Sequence, residues 1–526
     1  MPSPAQPSRT LSLLLAVAGG LLCDAAFPQR GLWPLAIAAV ALLLLALRRD
    51  HAGWGFLVGT VWGLSFFLVH IWWANDSVGV IPWVALSAAQ ALAVGATAAC
   101  WVWVRRLPAL REHPWWSVLA FATVFSAWEV ARSAAPFGGF PWGRLAYAQS
   151  TGPLLRLASL GGVVLVTFVV AALGAALALG VVALRRGGVL RASLAAIVVV
   201  AVPALAVLVP LDASAQAGTT RVGFVQGNVA NPGLGAFANA REVVENHTAG
   251  TLALAQEYPG ELDVVLWPEN ASDYNPREDA EAGALVAEAA EAIGAPILLG
   301  TQSYLRDEEG YAVERYNDYV LWEPGQGAVD VYAKQRPAPF AEYIPMRDIA
   351  RRFSSAVDLV TVDMAPGTQV AVLDVTYPDD RVVPWGIGIC FEVAYDDVLR
   401  EAVLAGAQVL VVPTNNASFG YTAESEQQLA MTAFRAVELG RAAVQVSTVG
   451  VSGVVSPNGV VTQETELFTA AQGVAELPLR TGITLAARIG PWPAYVVLAA
   501  TALLLVAAAT HGAVTRTRSP RRRVAA

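Results

Sequence analysis

Charged side chains are scarce in this 526-residue sequence, in which 14% of residues are charged and 55% are hydrophobic. Ordinary soluble domains are about one quarter charged, so the composition excludes a purely soluble protein. The net charge of −8 conceals two opposite regions. Residues 216–485 contain 36 Asp and Glu against 14 Arg and one Lys, a charge of −21, whereas the rest of the chain carries +13. Such an acidic region disfavours binding of nucleic acid.

Cysteine and histidine are also rare. Cys390 is the only one of three cysteines within residues 216–485, so no disulfide can form inside that region. His247 is its only histidine and lies in a charged helical pattern, where we expect an exposed side chain. A Ser-His-Asp triad or a Cys-His pair would have to use it, so a carboxylate is the more natural general base. No His and Cys cluster has metal-ligand spacing, so the sequence predicts no metal site.

Long apolar runs predict eight membrane-spanning helices, because a span needs about 20 mainly apolar residues. The candidate spans are 10–27, 31–47, 54–73, 80–104, 115–131, 160–184, 192–211 and 491–510. With the amino terminus in the cytoplasm, the inner segments carry 14 Arg and the short outer loops carry four, as the positive-inside rule requires. We therefore expect a membrane domain of seven spans over 1–215 and an extracytoplasmic domain over 216–485. An eighth span with a basic cytoplasmic tail would occupy 486–526.

The acidic region shows the alternation of an α/β domain. Apolar, β-branched runs bounded by turn residues predict strands, and Ala- and Glu-rich periodic stretches between them predict helices. The strands are expected at Thr220–Val225, Val264–Trp267, Pro296–Gly300, Val382–Cys390 and Val409–Pro413, and helices at Glu278–Ile293 and Glu424–Gly440.

Three reactive side chains lie at or just beyond ends of predicted strands. Lys334 is the single lysine beside 33 Arg, which favours a role that needs a compact ammonium, although a lone surface lysine would give the same pattern. Cys390 lies at a strand-to-helix turn, where a helix N-terminus would lower the pKa of its thiol; the alternative is a small buried residue. Glu269 follows Trp267 and Pro268, and partial desolvation of its carboxylate by these neighbours would raise its pKa. The alternative is a carboxylate that caps a turn or a helix. Open α/β sheets gather reactive groups at such strand ends, so we expect the three to meet.

The order Glu269, Lys334, Cys390 resembles that of the nitrilase superfamily, whose fold is an αββα sandwich. Eight spans with such a domain between the seventh and the eighth resemble the apolipoprotein N-acyltransferase family more closely. The motifs that carry this resemblance are FPWGRLAYAQ at Phe140–Gln149, QGN at Gln226–Asn228, WPEN at Trp267–Asn270, RYND around Asn317, the frame Lys334–Pro345, GICFE at Gly388–Glu392 and TNNASFG at Thr414–Gly420. The sequence departs from the family where Phe391 replaces a frequent Tyr and Ser418 a frequent Trp. A Trp beyond QGN is also missing, and Phe237 is the nearest aromatic residue.

The resemblance implies a thiol acyltransferase of the bacterial cytoplasmic membrane. Glu269 would be the base, Cys390 the nucleophile, and Lys334 with a backbone N–H the oxyanion partner. The acyl chain would pass from a phospholipid through a Cys390 thioester to the α-amine of a diacylglyceryl-cysteine apolipoprotein, with no metal or cofactor. The resemblance further assigns supporting roles to Glu342, Glu392, Asn317 and Phe391, and a place in the substrate cleft to Phe237, Ser418 and Phe419.

Two other functions remain open at this point. A membrane-tethered amidase or nitrilase-like hydrolase would form the same thioester and resolve it with water, and residues alone do not separate water from an amine. A transporter or receptor with an inactive outer domain is disfavoured by the intact Glu269, Lys334 and Cys390 set and by sparse intramembrane charge.

Polar and aromatic residues at the span ends predict structural roles. Glu129 and Arg132, at helical spacing i,i+3, are expected to form an ion pair. Most of the tryptophans near span ends are expected to belong to an interfacial belt; they are Trp72, Trp73, Trp115, Trp116 and Trp142.

Overall fold

A computed structural model describes residues 7–229 and 241–518 of the chain, with side chains to residue 512. The first part of the chain, together with the last helix, is here called the helical part. Its helices are α1 (Arg9–Ala25), α2 (Pro34–Ala46), α3 (Ala52–His70), α4 (Trp73–Val78), α5 (Val80–Val104), α6 (Pro108–Glu112), α7 (Pro114–Ala134), α8 (Ala158–Arg185), α9 (Val189–Ala206) and, after the second part, α16 (Trp492–Arg518).

Membrane-spanning character is clear for part of this set. Within the described ranges, five segments are long and apolar enough to cross a membrane: Ala52–His70, Val80–Val104, Pro153–Arg185, Val189–Ala206 and Trp492–Gly512. Helices also lie at the other three predicted spans, where α1 has 17 residues, α2 has 13 and α7 has 21. The chain therefore belongs to a membrane protein, and five of the eight predicted spans have the required length and composition.

The second part, here called the sandwich part, contains two six-stranded sheets with the orders β12-β1-β2-β3-β4-β5 and β11-β10-β9-β8-β7-β6. The strands of the first sheet are β1 (Thr219–Gln226), β2 (Val264–Leu266), β3 (Ile297–Arg306), β4 (Ala312–Glu323), β5 (Gly327–Ala333) and β12 (Ala471–Pro478). Those of the second are β6 (Val372–Thr376), β7 (Val382–Ile387), β8 (Val409–Thr414), β9 (Ala443–Ser447), β10 (Gly453–Val455) and β11 (Val461–Thr462). The helices are α10 (Glu242–Glu257), α11 (Ala280–Ile293), α12 (Arg347–Ala350), α13 (Val398–Leu404), α14 (Glu424–Leu439) and α15 (Leu485–Ile489).

Alternating side chains build the layers of the sandwich. In β2, Val264 and Leu266 face the core shared with the second sheet, whereas Val265 packs against α10 and α11. Successive side chains of a strand point to opposite faces, so a strand that is buried on both faces is apolar throughout, as β2 is. Helices α13 and α14 cover the second sheet, which completes an αββα sandwich.

Strands β2 and β7, which precede Glu269 and Cys390, lie in the parallel part of their sheets, whereas β5, which precedes Lys334, pairs antiparallel with β4. Strand β2 is parallel to β1 and β3 in the first sheet, and β8 is parallel to β7 and β9 in the second. The five predicted strands are all present, although β3 continues to Arg306 and β7 ends at Ile387.

Helix α14 joins the two parts of the molecule. Every residue of it except Glu426 is buried, because one face packs on β9 and another contacts α8. Helix α8 is kinked at Gly161 and Gly162, and a Cβ at Gly162 (φ +63°) would collide with the carboxylate of Glu438. Glycine is therefore required at this contact between α8 and α14.

Ion pairs between two buried arginines and Asp396 cross the same interface. Arg144 of the helical part donates two hydrogen bonds, of 2.7 and 2.8 Å, to the two carboxylate oxygens of Asp396. The same carboxylate accepts a hydrogen bond from Arg435 at 2.8 Å. Arg435 donates to the Tyr147 hydroxyl at 3.1 Å as well. Both arginines are 2% exposed whereas Asp396 is about half exposed, so loss of this carboxylate would leave buried guanidinium groups with one partner fewer at the contact between the two parts.

Candidate active site

Glu269, Lys334 and Cys390 meet at one end of the sandwich. Glu269 follows β2, Lys334 follows β5 directly, and Cys390 lies three residues after β7. The Lys334 ammonium lies 3.5 Å from Glu269 Oε1, and the Glu269 carboxylate and the Cys390 thiol are near enough to shift each other's pKa. The three predicted residues are thus brought together, although they come from both sheets.

The Glu269 carboxylate is buried and held by donors. It is 4% exposed, and its two oxygens accept from Asn317 Nδ2 at 2.6 Å and from the backbone N–H of Asn415 at 2.9 Å. Burial raises the pKa of Glu269, although Lys334 opposes the shift, which makes the carboxylate a stronger base than an exposed one. Gly300 packs directly beneath it, since a Cβ there would lie 2.6 Å from the Cα of Glu269.

Lys334 is 1% exposed and lies between two carboxylates. Its ammonium donates to Glu342 Oε1 at 2.8 Å, and Glu342 is itself fixed by the backbone N–H of Ala338 at 2.6 Å. Burial alone would lower the pKa of Lys334, but Glu342 and Glu269 outweigh it and the pKa is raised. Lys334 therefore stays charged and remains available to stabilise a developing negative charge.

Cys390 begins a short 3₁₀ turn, Cys390–Ala394, and has a φ of +50°. The expected helix N-terminus is absent there, because α13 begins only at Val398. Burial and the nearby Glu269 carboxylate raise the pKa of the Cys390 thiol, opposite to the expected lowering. The resting group is consequently a thiol that needs a base, and the Glu269 carboxylate is near enough to raise its pKa.

Glu392 connects the turn Cys390–Ala394, here called the nucleophile turn, to the loop that follows Lys334. It is fully buried, and its oxygens accept from the backbone N–H groups of Gln335 at 2.7 Å, Arg336 at 3.0 Å and Ile389 at 2.9 Å. The Tyr332 hydroxyl donates to it at 3.0 Å. These bonds join the residues that follow Lys334 to the residue that precedes Cys390, so Glu392 sets the spacing of the two groups.

Sequence reasoning missed a polar network behind the sulfur. Gln428 on α14 donates to Cys390 Sγ at 3.6 Å, and its Oε1 accepts from Thr414 at 2.8 Å and from Asn416 at 3.0 Å. Asn416 also donates to Glu424 at 2.6 Å, and burial raises the pKa of Glu424 to about 8. Thr414 and Asn416 belong to the TNNASFG motif, but the helical spacing that brings Gln428 to the thiol is visible only in three dimensions.

Aromatic side chains connect the nucleophile turn to the helical part. The ring of Phe391 stacks on Trp142 at 5.8 Å and 9° and on Phe140 at 6.0 Å. Phe419 packs edge-on against Trp73 at 5.1 Å. Of the residues assigned to the cleft, Phe419 thus lies on this aromatic surface, Ser418 is half-buried in the same loop and Phe237 lies outside the described residues.

The expectation for His247 was wrong. Its side chain is fully buried, accepts from the backbone N–H of Gly227 at 3.1 Å and stacks near Trp267 at 5.5 Å. Its Nδ1 lies 2.6 Å from the carbonyl oxygen of Val243. Burial lowers the pKa of His247 to about 4, so the neutral imidazole is a structural group.

The ion pair predicted at a span end is present. Glu129 and Arg132 form the expected buried pair at 3.5 Å. Trp72, Trp115 and Trp116 are 48%, 37% and 63% exposed, as a belt requires, whereas Trp73 and Trp142 are buried against the sandwich part. Across the described ranges, no group of three or more His, Cys, Asp or Glu is arranged to hold a metal ion.

Known proteins match both parts of the chain. The family model described as "Apolipoprotein N-acyltransferase N-terminal domain" matches residues 19–176, and the "Carbon-nitrogen hydrolase" model matches residues 221–486. An apolipoprotein N-acyltransferase of Mycolicibacterium smegmatis is 38% identical over 96% of this chain and 86% of its own length. Another, of Pseudomonas paraeruginosa, is 31% identical over 91% of this chain and 92% of its own. An amidase of Nesterenkonia sp. aligns with 52% of this chain and 93% of its own at a TM-score of 0.36 and 17% identity.

These matches extend over the helical part as well as the sandwich part, and Glu269, Lys334 and Cys390 lie within them. The chain therefore belongs to the apolipoprotein N-acyltransferase family and is an acyltransferase with a nitrilase-like domain.

Proposed function

We propose that the protein transfers an acyl chain from a membrane phospholipid, through a thioester on Cys390, to the α-amine of a diacylglyceryl-cysteine apolipoprotein. One observation carries the proposal: the cluster of buried Glu269 and Lys334 with half-buried Cys390 lies against an aromatic surface supplied partly by the helical part. A nucleophile for soluble substrates needs no such neighbour, whereas lipid donors and acceptors are anchored in the bilayer.

In the first half-reaction, Glu269 removes the proton of the Cys390 thiol as the sulfur attacks the ester carbonyl of the phospholipid. The charge that develops on the carbonyl oxygen is stabilised by the Lys334 ammonium and a backbone N–H of the nucleophile turn. The ester C–O bond then breaks, and Glu269 returns the proton to the departing lysophospholipid oxygen. A thioester between Cys390 and the acyl chain remains.

In the second half-reaction, the α-amine of the acceptor attacks the thioester carbonyl. Glu269 accepts a proton from the attacking nitrogen and returns it to the departing sulfur, so the amide forms and the Cys390 thiol is restored. Glu342 holds Lys334 in place throughout, since its 2.8 Å bond to the ammonium does not depend on substrate. Asn317 keeps the Glu269 carboxylate aimed at the thiol.

We further propose the topology that the arginine distribution predicts. Seven spans in residues 1–215 and one in 486–526 would place both termini in the cytoplasm and residues 216–485 outside it. Helices at all eight positions support this arrangement, and short spans such as α2 can be accommodated by local thinning of the bilayer. Cysteine labelling from each side of the membrane, at single cysteines introduced in the short loops, tests it.

Mass spectrometry tests the proposed reaction directly. Purified full-length protein is incubated with a 16-carbon phosphatidylethanolamine, and we expect the protein mass to rise by one acyl group carried on Cys390. Addition of a diacylglyceryl peptide should discharge that group and yield the N-acyl peptide. Cys390→Ser should acquire no thioester, whereas Cys100→Ser, the matched substitution of a half-buried thiol on α5, should behave as the wild type.

Two results would contradict the proposal. Free fatty acid without N-acyl peptide would identify a hydrolase that uses water as the second nucleophile. Full transfer by Cys390→Ser would remove the thioester from the mechanism altogether.

A further inference from the structure

Gln427, on the first turn of α14, makes an unusual set of hydrogen bonds. It is 4% exposed, and its single oxygen Oε1 accepts from two indole N–H groups, Trp142 at 2.7 Å and Trp73 at 3.3 Å. Its Nε2 donates to the carbonyl oxygen of His70 at 3.0 Å. All three partners belong to the helical part, whereas Gln427 belongs to the sandwich part.

Each indole that Gln427 binds packs against an aromatic ring near the cluster of Glu269, Lys334 and Cys390. The Trp142 ring lies parallel to that of Phe391, the residue that follows Cys390. The Trp73 ring meets Phe419, which lies four residues after Asn415, the backbone donor to Glu269. One amide oxygen thus holds both aromatic contacts, one beside the nucleophile and one beside the loop that binds the base.

The chemistry of the position requires an amide. The two indoles are 1% and 9% exposed, so without Oε1 their N–H groups would be buried and unsatisfied. The same side chain must also donate to a backbone carbonyl, which a carboxylate cannot do when ionised. Its neighbour Gln428 contacts Cys390 Sγ, so two consecutive glutamines face the two indoles and the sulfur respectively.

We propose that Gln427 is a positioning residue that holds the Trp73 and Trp142 rings, and so sets the path by which a long acyl chain reaches Cys390. This inference rests on the proposed phospholipid donor. The acyl group of a short ester ends beside the sulfur, so it does not extend along the aromatic surface that includes Trp73 and Trp142. Loss of Gln427 should therefore impair long donors selectively and leave the thiol chemistry intact.

The test compares two acyl donors on the detergent-solubilised full chain. Gln427→Met preserves length and removes both polar groups. We expect the first-turnover acylation of Cys390 by 16-carbon phosphatidylethanolamine to fall about tenfold in kcat/KM, as the loss of hydrogen bonds to two buried donors predicts. First-turnover release of p-nitrophenol from p-nitrophenyl acetate should stay within about twofold of wild type.

A double-mutant cycle tests the route through Trp142. Trp142→Phe keeps a ring beside Phe391 but removes the indole N–H, so Gln427→Met should cost less long-chain activity in that background than in wild type. Gln149→Met is the matched control: Gln149 is equally buried, donates only to the Trp33 carbonyl at 3.3 Å and contacts neither indole. It should not change the ratio of long-chain to short-chain rates.

The outcomes separate this inference from the function on which it rests. No lipid thioester on the wild-type protein would refute the proposed function. A wild-type thioester, with Gln427→Met lowering both donors in parallel or neither, would refute the positioning role, and so would additive effects in the cycle. A selective, non-additive loss of long-chain activity supports it.

Discussion

Replacement of Glu392 by glutamine tests how the distance between Lys334 and Cys390 is set. The Glu392 carboxylate receives only donors: the Tyr332 hydroxyl and the backbone N–H groups of Gln335, Arg336 and Ile389. An amide of the same shape presents an NH₂ group to one side of this ring of donors. The less costly orientation directs the NH₂ toward Ile389, since the opposite one would oppose two backbone donors.

The structure gives the magnitude of this change. One backbone N–H of a buried residue is left unpaired, which costs ~1–3 kcal/mol, and the remaining bonds lose their charge-assisted strength. The unfolding free energy should therefore fall by about 3 kcal/mol. The unpaired group precedes Cys390, and displacement of a reacting atom by about 1 Å costs on the order of 100-fold in rate. We expect that loss in the first-turnover acylation of Cys390.

The assay is intact-mass detection of acyl-Cys390 over time, with thermal unfolding of the same samples. Glu291→Gln, on the exposed face of α11, is the matched control and should change neither quantity. Tyr332→Phe removes one donor without leaving an N–H unpaired and should have a smaller effect. Acylation by Glu392→Gln within threefold of wild type would refute the view that this carboxylate spaces the two catalytic groups.

Three further predictions follow from individual contacts. Lys334→Arg keeps the charge but not the compact shape between two carboxylates, so Cys390 acylation should fall by about 10²–10³, and an unchanged rate would remove Lys334 from oxyanion binding. Gly300→Ala should displace Glu269 and lose ~1–3 kcal/mol of stability in thermal unfolding, since its Cβ would overlap the backbone there; full activity would argue against this packing. The pKa of His247 is about 4 in the folded protein and ~6.5 in the unfolded chain, so the unfolded chain binds more protons between these values and the free energy of unfolding falls as pH falls. Between pH 7 and pH 5, His247→Gln should therefore lose about 2 kcal/mol less stability than the wild type. Equal acid sensitivity of the two proteins would contradict the view that His247 is buried and neutral.

The predicted elements were those with strong periodicity. Strands β1, β2 and β8 were expected nearly to the residue, because apolar runs between turn residues are typical of strands buried on both faces. Strands β4 and β9 were not predicted, although neither is the edge strand of its sheet. Strands β5, β6 and β10–β12, which lie at or near sheet edges or have only two or three residues, were not predicted either. Their polar and apolar residues alternate weakly, so local sequence gives little signal.

The site divides in the same way. Composition alone pointed to Lys334 and Cys390, because each is the single residue of its type in the acidic region. The electrostatic environment of Cys390 was predicted with the wrong sign, since the residues after it form a 3₁₀ turn and burial is what governs the thiol. The exposure of His247 was wrong for a related reason: the face of α10 that packs on the first sheet is decided by tertiary contacts.

By itself the sequence determined the class of this protein, its acidic and apolar parts and the choice of Glu269, Lys334 and Cys390 as candidate reactive residues, because these depend on residue type and order along the chain. Only the tertiary structure decided which buried groups face them: Glu392 between the two loops, Gln428 on the sulfur and Gln427 on the indoles. Such contacts join residues tens to hundreds of positions apart, and their energies depend on burial and on angstrom-scale distances that local sequence does not encode.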